Sequence, residues 1–360
     1  MTSFELACAR CGSPAEPIRW SCESCGGPLN VVGKRPFDRR LIGTARSIWR
    51  YSELLAYVGE VVVSLGEGLT PVTRLGDSLY LKLDYLNPTG SFKDRGSSLA
   101  VTTHLAVSGA RGWVNEDSSG NAGASMAAYC ARAGIPIRVY VPSGTSGRKL
   151  EQIRSYGAEV VVVEGPRDHA ARLAQGAEGV YLGHVWNPFF IEGMKTLAYE
   201  IAEQFEWDVP DRVYFPCSVG TILLGLLYGF REMLEAGAIR QMPKLVAVQP
   251  RNVSPLYHRL RGLPYRVPEG ARSIADAIAS HGPPRLEQMV DEMRRVGGEC
   301  VVLEEEEIVR YTRELARAGF HVEPSAALGY GGYVKQREEG LVSGSSIAIL
   351  TGIGLKAPPV

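Results

Sequence analysis

Asn87-Pro88-Thr89-Gly90-Ser91-Phe92-Lys93-Asp94-Arg95-Gly96 puts a single lysine where a turn becomes a helix. Before it, Leu79 to Asp84 alternates as a strand does; after it, Ser97 to Gly109 carries Leu99, Val101, Leu105 and Ala106 at roughly helical spacing. Lys93 therefore falls near a helix N-terminus, where the dipole and the unsatisfied N–H groups disfavour added positive charge. Partial burial acts in the same direction and favours the neutral amine. A neutral amine attacks aldehydes, and lysines of this kind hold pyridoxal phosphate (PLP) as a Schiff base. Taken alone, Lys93 reads more simply as a solvated lysine in a first turn. Three further motifs change that.

Trp113-Val114-Asn115 leads into Glu116-Asp117-Ser118-Ser119-Gly120-Asn121-Ala122-Gly123, ahead of a small-residue helix predicted from Ala122 to Arg132. Such a turn aims backbone, hydroxyl and amide donors at an anion such as a carboxylate, although an ordinary N-cap explains it equally. Val213-Tyr214-Phe215-Pro216-Cys217-Ser218-Val219-Gly220-Thr221-Ile222 is a strand ending in a small-residue turn before an apolar helix, Leu223 to Phe230. Amides in that position suit a phosphate. Ile347-Ala348-Ile349-Leu350-Thr351-Gly352-Ile353-Gly354 reads as a buried strand ending in a hydroxyl flanked by glycines.

The chain has 360 residues, 45% of them apolar, enough for one large or two medium cores. Its 39 basic and 39 acidic residues cancel, which leaves no electrostatic footprint for nucleic acid or a membrane surface. The start, Met1 to Leu6, has neither a basic nor an apolar region of a secretory signal, and no apolar run is long enough to span a bilayer. A cytoplasmic location is expected.

Of seven cysteines, Cys8 and Cys11 form one pair separated by two residues and Cys22 and Cys25 another, each pair followed by a glycine. Two such knuckles bring four thiolates to a tetrahedral zinc, and with no position left for water the metal is structural. Two disulfides or four free thiols are the alternatives, and they suit a reducing compartment less well than zinc. Cys130, Cys217 and Cys300 look like buried small apolar residues, with only Cys217 near a motif.

There is no internal repeat. Val31 to Gly59 reads as a connection with a short packing helix at Ser52 to Tyr57. Strand-like runs at Ile137 to Val141, Val160 to Val163, Val213 to Phe215, Leu245 to Gln249, Cys300 to Leu303 and Ile347 to Leu350 alternate with helical signals at Ser146 to Tyr156, Glu192 to Phe205 and Glu304 to Ala318. This alternation predicts an α/β fold of parallel sheets covered by helices.

Leu65-Gly66-Glu67-Gly68-Leu69-Thr70-Pro71, the Lys93 motif, Ser118 to Asn121, Asn187-Pro188 with Glu192-Gly193-Met194-Lys195-Thr196, Glu323 to Ala327 and Thr351-Gly352 with Gly354-Leu355-Lys356 occur in that order. Together they resemble threonine synthase, a family of PLP enzymes with the two-lobed tryptophan-synthase β-subunit fold (fold type II). An N-terminal zinc module also occurs in members resembling the archaeal enzymes. The resemblance implies a four-cysteine, zinc-ribbon-like module at residues 1–30, a large α/β lobe at 31–89 and 186–360, a small one at 90–185, and PLP in the cleft between. It implies Lys93 as the Schiff-base lysine and proton shuttle, flanked by Phe92. Asn121 would bond the ring oxygen, Ser218, Val219, Gly220, Thr221 and Ile222 would cradle the cofactor phosphate, and Thr351 would face the pyridine nitrogen. A hydroxyl there leaves the ring largely unprotonated, favouring elimination and replacement over transamination. Ser118, Ser119, Gly120 and Ala122 would bind substrate. A homodimer is the family expectation.

The implied activity is that of a lyase converting O-phosphohomoserine and water to threonine and phosphate. Where the family usually carries an arginine for the substrate phosphate, this chain has Phe189-Phe190-Ile191; it also has Ala122 in place of a frequent threonine and Ser218-Val219 in place of Gly-Asn. A phenylalanine offers a phosphate no donor. His184, Lys195 or Arg148 are the candidate replacements. The alternatives kept open are an O-phosphoserine β-replacement enzyme making cysteate or cysteine, and a serine/threonine deaminase.

Overall fold

A computed structural model describes residues 4–16, 19–118, 120–143, 145, 147–165, 167–267, 272–278 and 280–357. Its chain divides into two compact units, one of Met1–Leu69 with Asn87–Thr196 and the other of Thr70–Leu86 with Leu197–Val360.

The first unit contains two sheets. Glu5–Cys8 pairs antiparallel with Pro14–Ala15 on one side and Leu29–Val32 on the other, so the cysteine segment has a small sheet of its own that runs past residue 30. The second sheet is parallel, in the order Glu159–Val163, Ile137–Pro142, Val114–Glu116, Val180–Tyr181. Its inner strand Ile137–Pro142 is almost wholly apolar, as a strand covered on both faces must be. Helix α1 (Asp94–Ser108) packs between α2 (Asn121–Ala133) and α3 (Pro188–Met194). Buried carboxylates tie the loops to these helices. Glu67 accepts hydrogen bonds from Ser64 Oγ, Leu65 N, Ser98 Oγ and Tyr129 Oη, at 2.7 to 3.1 Å. Asp94 accepts from Thr89 N, Thr89 Oγ1 and Ser125 Oγ.

The expected lobe boundaries differ from this grouping. Residues 31–69 and 186–196 join the small parallel sheet instead of the large one, because their polar groups are satisfied there. Trp49 Nε1 donates to Ser98 Oγ at 3.0 Å, Val63 N to Thr102 Oγ1 at 2.8 Å, and Ala56 N to Glu192 Oε1 at 3.0 Å. The packing helix expected at Ser52 to Tyr57 is a 3-10 helix, Ile48–Leu54, buried through Ile48, Trp49, Tyr51 and Leu54. The single helix expected from Glu192 to Phe205 is two, Pro188–Met194 and Thr196–Gln204, broken at Lys195.

The second unit is built on a six-stranded sheet, ordered Glu299–Leu303, Lys244–Pro250, Arg212–Pro216, Ser346–Ile349, Leu79–Lys82, Val72–Arg74. The first five strands are parallel and the last closes an antiparallel hairpin. Leu79, Leu81, Tyr214, Val246, Val248, Tyr311 and Leu328 are among the buried residues of its core. Helix α4 (Thr221–Glu235) follows Arg212–Pro216 directly, and Glu305–Arg317 starts with a capping box of Glu304 and Glu307.

Candidate active site and metal centre

Lys93 is the residue from which α1 starts, with helical backbone angles and its carbonyl accepting from Ser97 N at 3.0 Å. Its side chain is half-buried, and Nζ lies 4.9 Å from the centre of the Phe92 ring and 5.7 Å from that of Phe190. The amine thus faces two aromatic surfaces near the helix N-terminus that was expected; the aromatic rings were not foreseen.

The Ser118 turn leads into α2 as expected. Asn121 is the first residue of the helix and is buried, as are Ser118 and Ala122, and Gly120 N donates to Ser118 Oγ at 3.3 Å. Ser119 lies outside the described residues. Gly123 permits the fold-back, since a Cβ there would meet Ser118 O at 1.9 Å.

Beside this turn runs a buried polar network that sequence reasoning missed. Glu116 Oε2 accepts from the His184 main-chain N–H at 3.1 Å, and Oε1 lies 2.9 Å from His184 Nδ1. Asp117 Oδ1 accepts from Tyr181 Oη at 2.8 Å. Glu116, Asp117 and His184 could be taken as a three-ligand metal set, but their bonds to one another and to Tyr181 give the cluster internal partners. The imidazole packs edge-on against Phe190, with ring centres 5.7 Å apart. Phe190 thus stands beside both His184 and Lys93. The pair of consecutive acids at the end of a strand was the only local hint of this arrangement.

Lys195, expected to meet substrate, is buried at the break between two helices. Its side chain is 2% exposed and ion-paired with Glu192, which also receives Ala56 N and lies 3.7 Å from Lys34 Nζ. Arg148, the other cation considered, is exposed on the helix Gly147–Ser155.

In the second unit the strand Arg212–Pro216 ends in a turn, Cys217 to Gly220, that feeds α4. Gly220 adopts φ +93° and a Cβ there would meet Met289 Sδ at 2.4 Å, so conformation and space both call for glycine. The first N–H groups of α4, on Thr221 and Ile222, have no carbonyl within the helix to bond and, with the turn around Ser218 and Val219, could hold an anion. Gln249 Nε2 anchors the turn by donating to Cys217 O at 3.1 Å. Burial pushes the Cys217 thiol up to about 12, and that of Cys130 up as well, which makes both inert small apolar residues; Cys300 is half-buried. Thr351 is buried just beyond Ser346–Ile349. Tyr214 pairs with Ala348 near the carboxyl ends of these two parallel strands. Within the first unit an amine among aromatic faces and a buried amide, and within the second a turn lined with amides and a buried hydroxyl, are each donors of the kind that PLP takes.

Cys8, Cys11, Cys22 and Cys25 converge. Their sulfurs all lie within 4.8 Å of one another, with contacts of 3.4, 3.5 and 3.6 Å and no disulfide. A tetrahedral zinc with sulfur ligands at about 2.3 Å has ligand atoms about 3.8 Å apart, so the cluster fits that ion. The Ser13 hydroxyl and amide hold the Cys11 thiol down to about 6. Against a lowering bond from the Gly27 amide, the Cys11 and Cys8 sulfurs push the Cys25 thiol up to about 12. The convergence of four cysteine sulfurs suggests a metal centre.

A family model described as pyridoxal-phosphate dependent enzyme matches residues 63–352. The chain is 36% identical to the threonine synthase of Methanocaldococcus jannaschii, over 98% of this chain and 92% of that one. It is 32% identical to the threonine synthase of Methanosarcina acetivorans, over 99% and 93%. Among solved structures, a fungal L-serine ammonia-lyase from Rhizomucor miehei superposes with a TM-score of 0.70 at 19% identity, covering 79% of this chain and 93% of that one. On these matches, which run along most of its length, the chain belongs to the pyridoxal-phosphate dependent enzymes and, within them, to the threonine synthase family.

Proposed function

We propose that this protein is a threonine synthase, converting O-phosphohomoserine and water to threonine and phosphate. The observation that carries this reading is similarity to threonine synthases along nearly the whole chain, with Lys93 at the start of α1. PLP, when bound, supplies the electron sink that stabilises negative charge at the substrate Cα.

The residues of the chain do the rest. Lys93 would hold the cofactor aldehyde and, as the free amine, would take the proton from Cα and carry protons during loss of phosphate from Cγ and addition of water at Cβ. Asn121 would hydrogen-bond the ring oxygen. The turn Ser218 to Ile222 would hold the cofactor phosphate, and Thr351 would face the pyridine nitrogen with a hydroxyl. Ser118, Ser119, Gly120 and Ala122 hold the substrate carboxylate at the start of α2. His184, edge-on against Phe190, is the first candidate for the phosphate end, with Lys195 and Arg148 as the others. The four-cysteine centre holds zinc, and the enzyme works as a cytoplasmic homodimer; no described helix is long and apolar enough to cross a membrane.

One observation favours a second reading. Phe190 offers only an aromatic face beside Lys93, which suits an uncharged hydroxyl substrate better than a phosphate dianion. That reading is a serine/threonine deaminase or, if phosphate enters elsewhere, an O-phosphoserine β-replacement enzyme. Incubating the holoenzyme with O-phosphohomoserine, O-phosphoserine, threonine and serine separates them. Threonine with equimolar phosphate from the first substrate supports the proposal; pyruvate or 2-oxobutyrate as the main product overturns it. Lys93→Ala should abolish turnover and the visible absorbance of the lysine-bound cofactor.

A further inference from the structure

The loop between the two cysteine pairs carries Trp20, and its ring packs against residues far along the chain from the cysteines. It meets Tyr181 edge-on with ring centres 5.1 Å apart and Trp186 edge-on at 5.1 Å. Trp20 thereby completes the small apolar cluster of Tyr140, Val163, Ala170, Ala174 and Tyr181 beside the parallel sheet. A second aromatic contact, Phe4 on Phe189 at 5.5 Å, fastens the other side of the module to α3.

The two partners of Trp20 flank His184. On one side, the Tyr181 hydroxyl that donates to Asp117 belongs to the ring Trp20 covers, and Asp117 adjoins Ser118 at the head of the anion-binding turn. On the other, Trp186 precedes Asn187, whose side-chain oxygen accepts from Phe189 N at 2.9 Å and Phe190 N at 3.2 Å and so starts the helix bearing Phe190. A single side chain of the module therefore touches both ends of the segment that holds His184 and orients the Asp117 carboxylate.

We propose that Trp20 is a positioning residue for the Ser118–Asn121 turn and for His184, so that metal loading of the four-cysteine centre governs how firmly the enzyme holds its substrate. The metal fixes the loop, the loop seats Trp20, and Trp20 holds Tyr181 and Trp186. For substrate the inference rests on the proposed function; for the order of the turn it does not. The module acts as an internal brace and takes no part in the chemistry.

The test uses the full-length, cofactor-loaded enzyme and the Trp20→Ala variant, which keeps all four cysteines. Metal content, measured by a chromophoric chelator after thiol blocking, should stay at one per chain, and the cofactor absorbance should be retained. Loss of two edge contacts of ordinary aromatic strength should speed amide hydrogen exchange in residues 116–123 and 181–187 by about tenfold, with slower peptides elsewhere in the unit unchanged. KM should rise by about tenfold while kcat stays within about twofold, the pattern of lost substrate binding. Trp20→Phe should restore most of both, and Tyr181→Phe, which removes only the bond to Asp117, should speed exchange in 116–123 alone. Unchanged exchange in both segments, or faster exchange spread evenly over the unit, overturns the inference. Because exchange is read without substrate, it keeps its meaning if O-phosphohomoserine proves not to be turned over.

Discussion

The ring of Phe190 lies against the α-carbon of Gly96, so closely that a β-carbon there would come within 2.4 Å of it. This contact joins α3 to α1 three residues past Lys93 and decides which surface the lysine faces. Gly96→Ala should push the ring aside and destabilise the protein by about 1–3 kcal/mol, the usual cost of overpacking. Thermal unfolding of Gly96→Ala alone and with Phe190→Leu would check it; no recovery in the double variant would mean that the ring is not what the methyl group meets.

Lys82 and Glu200 form an ion pair with both side chains fully buried, and Lys82 Nζ also donates to Thr70 O and Gln204 Oε1. Lys82→Met leaves a buried carboxylate without its partner and should cost about 3–5 kcal/mol, whereas Lys82→Met with Glu200→Leu should recover much of that loss. Denaturant titration of the three proteins supplies the comparison. Equal stability of the single and double variants would refute the account.

His104, on α1, is buried with Nε2 lacking a hydrogen-bond partner, and burial lowers its pKa below the ordinary 6.5. The unfolded chain therefore takes up a proton before the folded one does. The neutral ring's contribution to stability is complete above pH 6.5 and is lost as the pH falls from there toward the lowered folded value. His104→Gln should reduce the drop in denaturation midpoint between neutral and mildly acidic buffer; an identical drop would count against it.

Metal in the cysteine centre competes with protons for sulfur, because the ligands bind as thiolates. Release to a chelator should be slow at about pH 8 and faster by about pH 5, with one ion freed per chain. Cys25→Ser should lower metal content and the melting temperature together. Full folding stability in a metal-free variant would contradict the structural role.

In the proposed function Thr351 presents a hydroxyl to the pyridine nitrogen, where a carboxylate would stabilise a protonated ring. Thr351→Asp should shift the cofactor absorbance and raise transamination side products relative to elimination. A product profile identical to that of the native enzyme would remove Thr351 from the electronic control of the reaction.

Much of the architecture was legible in the order of residues. The runs expected to be strands at Ile137 to Val141, Val160 to Val163, Leu245 to Gln249 and Cys300 to Leu303 all fall within strands, because β-branched runs bounded by turns depend on their immediate neighbours. The helix Pro324–Glu338 was missed because Gly329, Gly331 and Gly332 weaken its propensity, and it is buried too widely to show one apolar stripe. Leu286–Arg295 did carry a readable signal, with Met289, Val290 and Met293 on one face. Lys195 looked like an available cation because nothing adjacent reveals that Glu192 would share its burial with two lysines.

Lys93 at a helix start, the strand–turn–helix at Gly220 and the paired cysteines each depend on residues within a turn or two, where bond geometry and local hydrogen bonding dominate, so reading along the chain was enough. The roles of Glu67, Phe190, Trp20 and the Lys82–Glu200 pair could not be read that way. Their partners lie far off in sequence, 118 residues for that ion pair and 62 between Glu67 and Tyr129, and only the packing of helices against sheets brings such groups within reach. Side chains that lose water on burial must find partners wherever the fold supplies them, and that choice belongs to three dimensions.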